Sequence, residues 1–289
     1  MNTELRIIPI TGIGEVDPGS DLGLTIYTAL QGQQQALQQG DILVVTQKIV
    51  SKAEGRLVNP EGVHPSDFAR VAALNSKKDA HHMEVVLRES RRIVRMDLGV
   101  LIAETKHGFI CANAGVDESN VNGQHQLTLL PVDPERSARE LRTRMQQLSG
   151  EGAAFDIAVI ITDTWGRPWR NGQVNMAIGV AGMEPIVDYR GQRDPYGYQL
   201  QASAIAVADE LASAAADDFS PKLEGFEIVD FEEISDGLKL TFAWKSPISA
   251  NVTIVLHHYD TDESVKCEIR RQLEALGLRL TQDSSGGLG

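Results

Sequence analysis

Residues 161–173 read ITDTWGRPWRNGQ and follow directly on the apolar run IAVI. An apolar run of that length reads as a buried strand, so Asp163 and Thr164 are delivered at its end. A carboxylate and a hydroxyl so placed suit a hard divalent cation such as magnesium or manganese. Arg167 and Arg170 follow within a few residues and offer fork-shaped donors to phosphate or carboxylate. Trp165 and Trp169 read as packing residues before they read as a stacking platform.

Two further blocks place polar groups at strand ends. GDILVVTQKIVSKAEGR (40–56) releases Gln47, Lys48, Ser51 and Lys52 after an apolar strand. Lysines there can meet phosphate oxygens as mobile point charges, or simply solvate the strand end. FICANAGVDESNVNG (109–123) runs into Asn113, Gly115, Asp117, Ser119 and Asn120. Its acid and amide oxygens suit a cation or a sugar, although Asn, Asp and Gly also build ordinary turns. Together the three blocks set two acids and several cations at strand ends, as nucleotide-dependent activation of a carboxylate requires.

Other candidates are weaker. No GxxxxGK[ST] is present, and no GxGxxG follows a strand, which removes P-loop and dinucleotide-fold readings. His81, His82, His257 and His258 have no acid or cysteine at metal spacing and read as helix-surface or strand-end residues. His107, just before Gly108, is kept as a substrate contact. Cys111 and Cys267 are far apart and read as idle thiols of a reducing compartment.

Forty acids against 27 Lys and Arg give 289 residues a formal charge of −13, which repels a phosphodiester backbone and argues against a nucleic-acid partner. No basic leader precedes a long apolar stretch, and no segment approaches a membrane span, so a soluble cytoplasmic protein with no membrane partner is expected.

The elements that must position these residues form an α+β pattern of mixed and antiparallel sheets with packed helices. LRIIPI, DILVVT, VLIAE, FICANA and FDIAVIIT read as strands, and 66–76, 80–95 and 199–215 as helices. Between Leu130 and Gly150, Asp133 is suited to cap a helix, Pro134 to open it and Gly150 to end it. From Asp217 onward there are 14 acids and 7 bases. That region reads as a hairpin turning at Ser235-Asp236-Gly237, a third strand, a closing helix ended by Gly277, and a polar tail. The expected organisation is a core over 1–216, an acidic module over 217–280 and a flexible tail over 281–289.

The three blocks, in this order, resemble the coenzyme F420-0:L-glutamate ligase family, the gamma-glutamyl ligases that extend the tail of a deazaflavin cofactor. The resemblance spans about residues 5–216 and is most specific in VVTQKIVSKAEGRLV, HGFICANAGVDESNV and the long segment from Val159 to Leu200. It implies an intertwined α+β fold, a homodimer, and GTP-dependent amide formation on a deazaflavin precursor and L-glutamate. It also implies manganese or magnesium, with potassium as a further ion. The metal acids of that family match Asp117 and Asp163, which are also the implied catalytic residues, with Thr164 as a further ligand. Its nucleotide contacts match Ile13, Gly14, Glu15, Val16, Gln47, Lys48, Lys52 and Asn120. The implied route passes through an acyl phosphate. After Ala216, where the family continues into a Gly-rich loop bearing another metal acid, this chain reads DDFSPKLEGFEIVDFEE. Asp217, Asp218 and Glu224 are the acids available there, and an appended module is expected rather than a replacement loop.

Overall fold

In this computed structural model the described residues are 5–76, 78–97, 99–121, 124–215, 226–234, 237–244 and 251–257. The chain divides into two units, 1–219 and 220–289.

In the first unit, strand β1 (Ile42–Thr46) lies parallel to β8 (Ala158–Arg167), which turns back antiparallel into β9 (Arg170–Ala181). β8 is the central strand of the three, and Val159, Ile160 and Ile161 are fully buried, as expected of a strand covered on both faces. Helices α1 (Leu22–Gly32) and α5 (Pro134–Ser149) close one face around Ile26, Leu30, Leu141, Met145 and Ile157. Helix α6 (Val207–Ala214) closes the other, with Ala208 and Ala212 packed on Ile160. α5 begins where its sequence says it should. The Asp133 side chain accepts from the Arg136 N–H, Pro134 occupies the first turn, and Gly150 ends the helix at φ 80°. β9 can approach α5 closely because residue 179 is glycine, where a Cβ would sit 2.2 Å from the Pro134 carbonyl oxygen.

A second cluster of buried side chains gathers Met83, Val86, Leu101, Ala103, Val116 and Leu127. It lies among α3 (Asp67–Asn75), α4 (Ala80–Glu89), and two small antiparallel sheets. One sheet orders β3 (Ser90–Asp97), β4 (Val100–Thr105) and β5 (Ile110–Ala112); the other orders β2 (Leu57–Val58), β7 (Gln124–Thr128) and β6 (Asp117–Val121). The helix α2 (Gln47–Ala53) follows β1, and β10 (Val187–Asp188) pairs with β11 (Ala204–Ile205). The α+β class is the one the pattern predicts.

Several sequence expectations change. LRIIPI is not a strand: Leu5, Ile7 and Ile8 are exposed, and Gln33, the residue that caps the C-terminus of α1, holds the segment by donating to the Pro9 carbonyl and accepting from the Thr11 N–H. Residues 80–95 are not one helix. α4 stops at Glu89, and SRRIVRMD pairs with β4 because cross-strand bonding outweighs a weak helical period. Of 199–215, only Val207–Ala214 is helical. α1, capped by Asp21, is an element the periodicity does not reveal.

In the second unit, β12 (Phe226–Ile234), β13 (Gly237–Trp244) and β14 (Asn251–His257) form an antiparallel sheet, with Ile234 opposite Gly237 across the first turn. The expected closing helix, the tail, and Asp217, Asp218, Glu224, His258 and Cys267 lie outside the described residues.

Candidate active site

The parallel pairing of β1 with β8 sets the end of one strand beside the other, with Thr46 opposite Thr162. The next residues along each chain are therefore neighbours: Gln47 and Lys48 open α2, while Asp163 and Thr164 continue β8. Helical spacing then sorts α2 into two rows of i, i+4 residues. Gln47 and Ser51 are buried, whereas Lys48 and Lys52 form the outer row, Lys48 exposed and Lys52 half-buried.

The outward row holds two acids. Lys48 Nζ lies 3.3 Å from Asp117 Oδ2, and Lys52 Nζ lies 2.5 Å from Glu15 Oε1. Asp117 is brought there by a strained approach, since Asn113, Ala114 and Gly115 are three successive residues at φ 52°, 53° and 70°. Non-glycine residues rarely adopt that region, and such strain concentrates at functional sites. A Cβ on Gly115 would meet Leu130 at 2.8 Å, so a side chain is excluded by space as well as by backbone.

The inward row supports Asp163. Ser51 Oγ donates to Gln47 Oε1 at 2.8 Å, which fixes the carboxamide and leaves Gln47 Nε2 buried with no hydrogen-bond partner. That amide lies near enough to Asp163 to favour its ionised form. Burial nevertheless dominates and pushes the Asp163 carboxyl up to about 7. The Thr164 N–H, donating to Asp163 Oδ1 at 2.8 Å, opposes the rise; the Asp117 charge adds to it and the Lys48 charge offsets it. Beneath them the Cys111 thiol is pushed up to about 12, by burial first and then by the Asp163 charge, so it is an inert neighbour. The Thr164 hydroxyl donates to Asn175 Oδ1 on β9.

Asp117, Asp163, Gln47 and Lys48 thus lie within one another's fields, with Thr164 beside Asp163. Glu15 and Lys52 form a second pair one helical turn along. Of the remaining N-terminal residues, Val16 is buried, Ile13 packs on the first core and Gly14 is exposed. Asn120 lies in β6, opposite His125, and its side chain is outside the described set. Among the described residues, no three His, Cys, Asp or Glu side chains are gathered to hold a metal ion.

The chain matches the model of the F420-0:Gamma-glutamyl ligase family over residues 12–217. It belongs to that family. It is 43% identical over 212 residues to the coenzyme F420:L-glutamate ligase of Methanothermobacter thermautotrophicus, covering 73% of this chain and 82% of that protein. With the enzyme of the same name from Methanopyrus kandleri it shares 45% over 211 residues, covering 73% and 80%. The corresponding Archaeoglobus fulgidus protein is 37% identical over 211 residues, again covering 73% and 80%. In this F420-0:gamma-glutamyl ligase family member the match ends at 217, before the three-stranded second unit begins its described strands.

Four readings of ring-bearing residues are corrected or refined by the fold of this family member. Trp165 is buried and donates its indole N–H to Met176 Sδ, a packing role. Trp169 is fully exposed, at 101%, and does not pack. His107 is a fastener rather than a poised contact: Nε2 bonds the Pro131 carbonyl at 2.8 Å and the ring stacks on Phe109. Two carbonyl acceptors, Pro131 and Val132, assign the proton to Nε2. His82 is buried rather than on a helix surface; its Nδ1 lies 3.0 Å from Glu118 Oε1, and burial lowers its pKa. Gln47 was legible in sequence as a polar strand-end residue and, through the family resemblance, as a nucleotide contact. Its locking partner Ser51 follows from the i, i+4 spacing of α2, whereas the Asn175 acceptor follows from a β8–β9 pairing that no local motif encodes. No helix among the described residues is long and apolar enough to cross a membrane.

Proposed function

We propose that this chain is a GTP- and divalent-metal-dependent ligase that joins L-glutamate to the terminal carboxylate of coenzyme F420-0, working as a cytoplasmic homodimer. The observation that carries this reading is the meeting of Asp117, Asp163, Lys48 and Gln47 in a chain of this family. Two mutually repelling carboxylates, one ionised only at the cost of burial, fit a hard cation; Thr164 adds a hydroxyl oxygen. Asp117, Asp163 and Thr164 would hold manganese or magnesium, with potassium a further ion of the site. When bound, the divalent ion supplies neutralisation of phosphate charge.

The proposed reaction has two displacements. A substrate carboxylate oxygen attacks the gamma-phosphorus of GTP and GDP departs, giving an acyl phosphate. The glutamate amine then attacks the acyl carbon, loses its proton, and inorganic phosphate leaves. In this reading Lys48 and Lys52, one turn apart on α2, meet phosphate oxygens and release Asp117 and Glu15 from their present ion pairs as they do so. Ile13, Gly14, Glu15, Val16 and Asn120 complete the proposed nucleotide contacts.

The test is incubation with coenzyme F420-0, glutamate, GTP and manganese, followed by mass spectrometry for a gain of one glutamate. No gain with GTP consumed would point to a ligase for another carboxylate. The end of the family match at 217 favours a second reading, a homologue that binds nucleotide without turnover. GTP binding without GDP release would select it. Exposed Ile186, Tyr189, Tyr196 and Tyr198 support the homodimer, which light scattering tests by mass.

A further inference from the structure

We infer that the tip of the β8–β9 hairpin is an anion-and-ring subsite, in which Arg167 and Arg170 grip a phosphoester of the acid substrate and Trp169 lies against its flat ring. This rests on the ligase reading above and deepens it by assigning where the non-reacting part of the substrate is held.

Three observations converge on the tip. First, Arg167 and Arg170 stand directly opposite each other in the hairpin register. Like charges so placed repel. Neither makes an ion pair or hydrogen bond among the described residues, and Arg167 Nε is buried without a partner. By contrast, Arg56, Arg142 and Arg144 each reach a carboxylate. Two unpaired forks side by side are the donor set for a bidentate oxyanion. Second, Trp169 follows Pro168 in the turn at φ 58°, a conformation that normally calls for glycine or asparagine. A bulky, fully exposed ring held in that conformation costs free energy and gains nothing from packing among the described residues. An amphipathic ring so displayed is a stacking surface for a planar ligand.

Third, the tip is in line with the acids. Asp163 and Trp165 alternate onto one face of β8; the pairing register then shifts between Gly166 and Arg167, and Arg167 and Arg170 close the hairpin as cross-strand partners. Four residues of strand separate Asp163 from Arg167, about 13 Å.

The test uses the full chain and two fluorescent probes: coenzyme F420-0, which has a phosphodiester and a deazaflavin ring, and the phosphate-free deazariboflavin, which has the ring alone. Arg167→Met and Arg170→Met should each weaken coenzyme F420-0 binding about tenfold or more, with the phosphate-free probe unaffected. Arg170→Lys, which keeps the charge but loses the fork, should fall between. Trp169→Ala should weaken both probes. In turnover, KM for coenzyme F420-0 should rise while kcat and the KM for GTP stay constant. Wild-type affinity in the arginine variants overturns the subsite and leaves the ligase reading intact. Weakened GTP binding instead, or a change of mass by light scattering, overturns it in favour of a nucleotide or a subunit contact. Failure of the wild type to bind coenzyme F420-0 overturns both readings.

Discussion

Strand β8 carries two polar regions a few residues apart, and they balance charge in opposite ways. At Asp163 the acid is enclosed, contacted by the Thr164 N–H, and set within the fields of Lys48 and Asp117. At the hairpin tip, Arg167 and Arg170 face each other without a carboxylate among the described residues, beside an exposed ring. The first region is compensated by the protein itself, and the second leaves its compensation to a ligand. The two strand neighbours of the acid region, β1 and β9, explain the contrast: β1 pairs only as far as Thr162 and lends α2 to the acid, whereas past that point β8 is flanked by β9 alone.

The largest expected effect breaks the acid region. Asp117→Ala and Asp163→Ala should each lower kcat/KM by about a hundredfold or more, the upper range for damage to a metal site's support, while circular dichroism stays native. Unchanged turnover in both variants would remove the acids from the chemistry.

The two tryptophans sharpen the comparison through stability. Trp165→Ala removes a buried ring from the first core and should cost about 3–5 kcal/mol in a denaturant titration. Trp169→Ala should fall within about 0.5 kcal/mol of wild type, because no described residue packs on it. Equal losses would mean that the tip is part of a folded interface.

The enclosed acid also sets a pH dependence. Its folded pKa of about 7 exceeds the ordinary value of 3.8, so the folded state holds more protons than the unfolded chain between those limits. Stability of the metal-free protein should therefore fall as pH rises from about 4 to 7. Asp163→Asn removes this loss and should be more stable than wild type by a few kcal/mol at pH 8, with no such gain near pH 4. Thermal melts at the two pH values check the sign. Added manganese should stabilise only the wild type at pH 8.

A more modest effect concerns the support beneath the acid. Ser51→Ala removes the hydroxyl that fixes Gln47 Oε1 and leaves a buried acceptor unpaired, costing about 1–3 kcal/mol. Manganese affinity by calorimetry should fall more than in Ser51→Cys, whose thiol still donates weakly.

Much of this was local and therefore legible. The α5 cap at Asp133, its Pro134 start and its Gly150 stop follow from residues in contact along the chain, and the strands 42–46 and 158–162 follow from unbroken apolar runs. Asp117, Asp163, Lys48 and Lys52 could be singled out because charged residues at the ends of apolar strands are conspicuous. Where local preference is weak, the sequence misleads: residues 90–95 continue a helical period yet pair with β4, and LRIIPI alternates like a strand but has no partner edge.

What only the tertiary structure decided is which of those residues meet. The parallel register of β1 and β8 joins groups more than 100 positions apart, and it turns Ser51 and Gln47 into a buried support that neither segment announces. The difference between Trp165 and Trp169, identical in type and four residues apart, is likewise decided by burial alone. The physical reason is range: caps, turns and periodicity act over a few residues of chain, whereas the field at Asp163 is the sum of groups from β1–α2, β6 and β8 that only the packed core brings together.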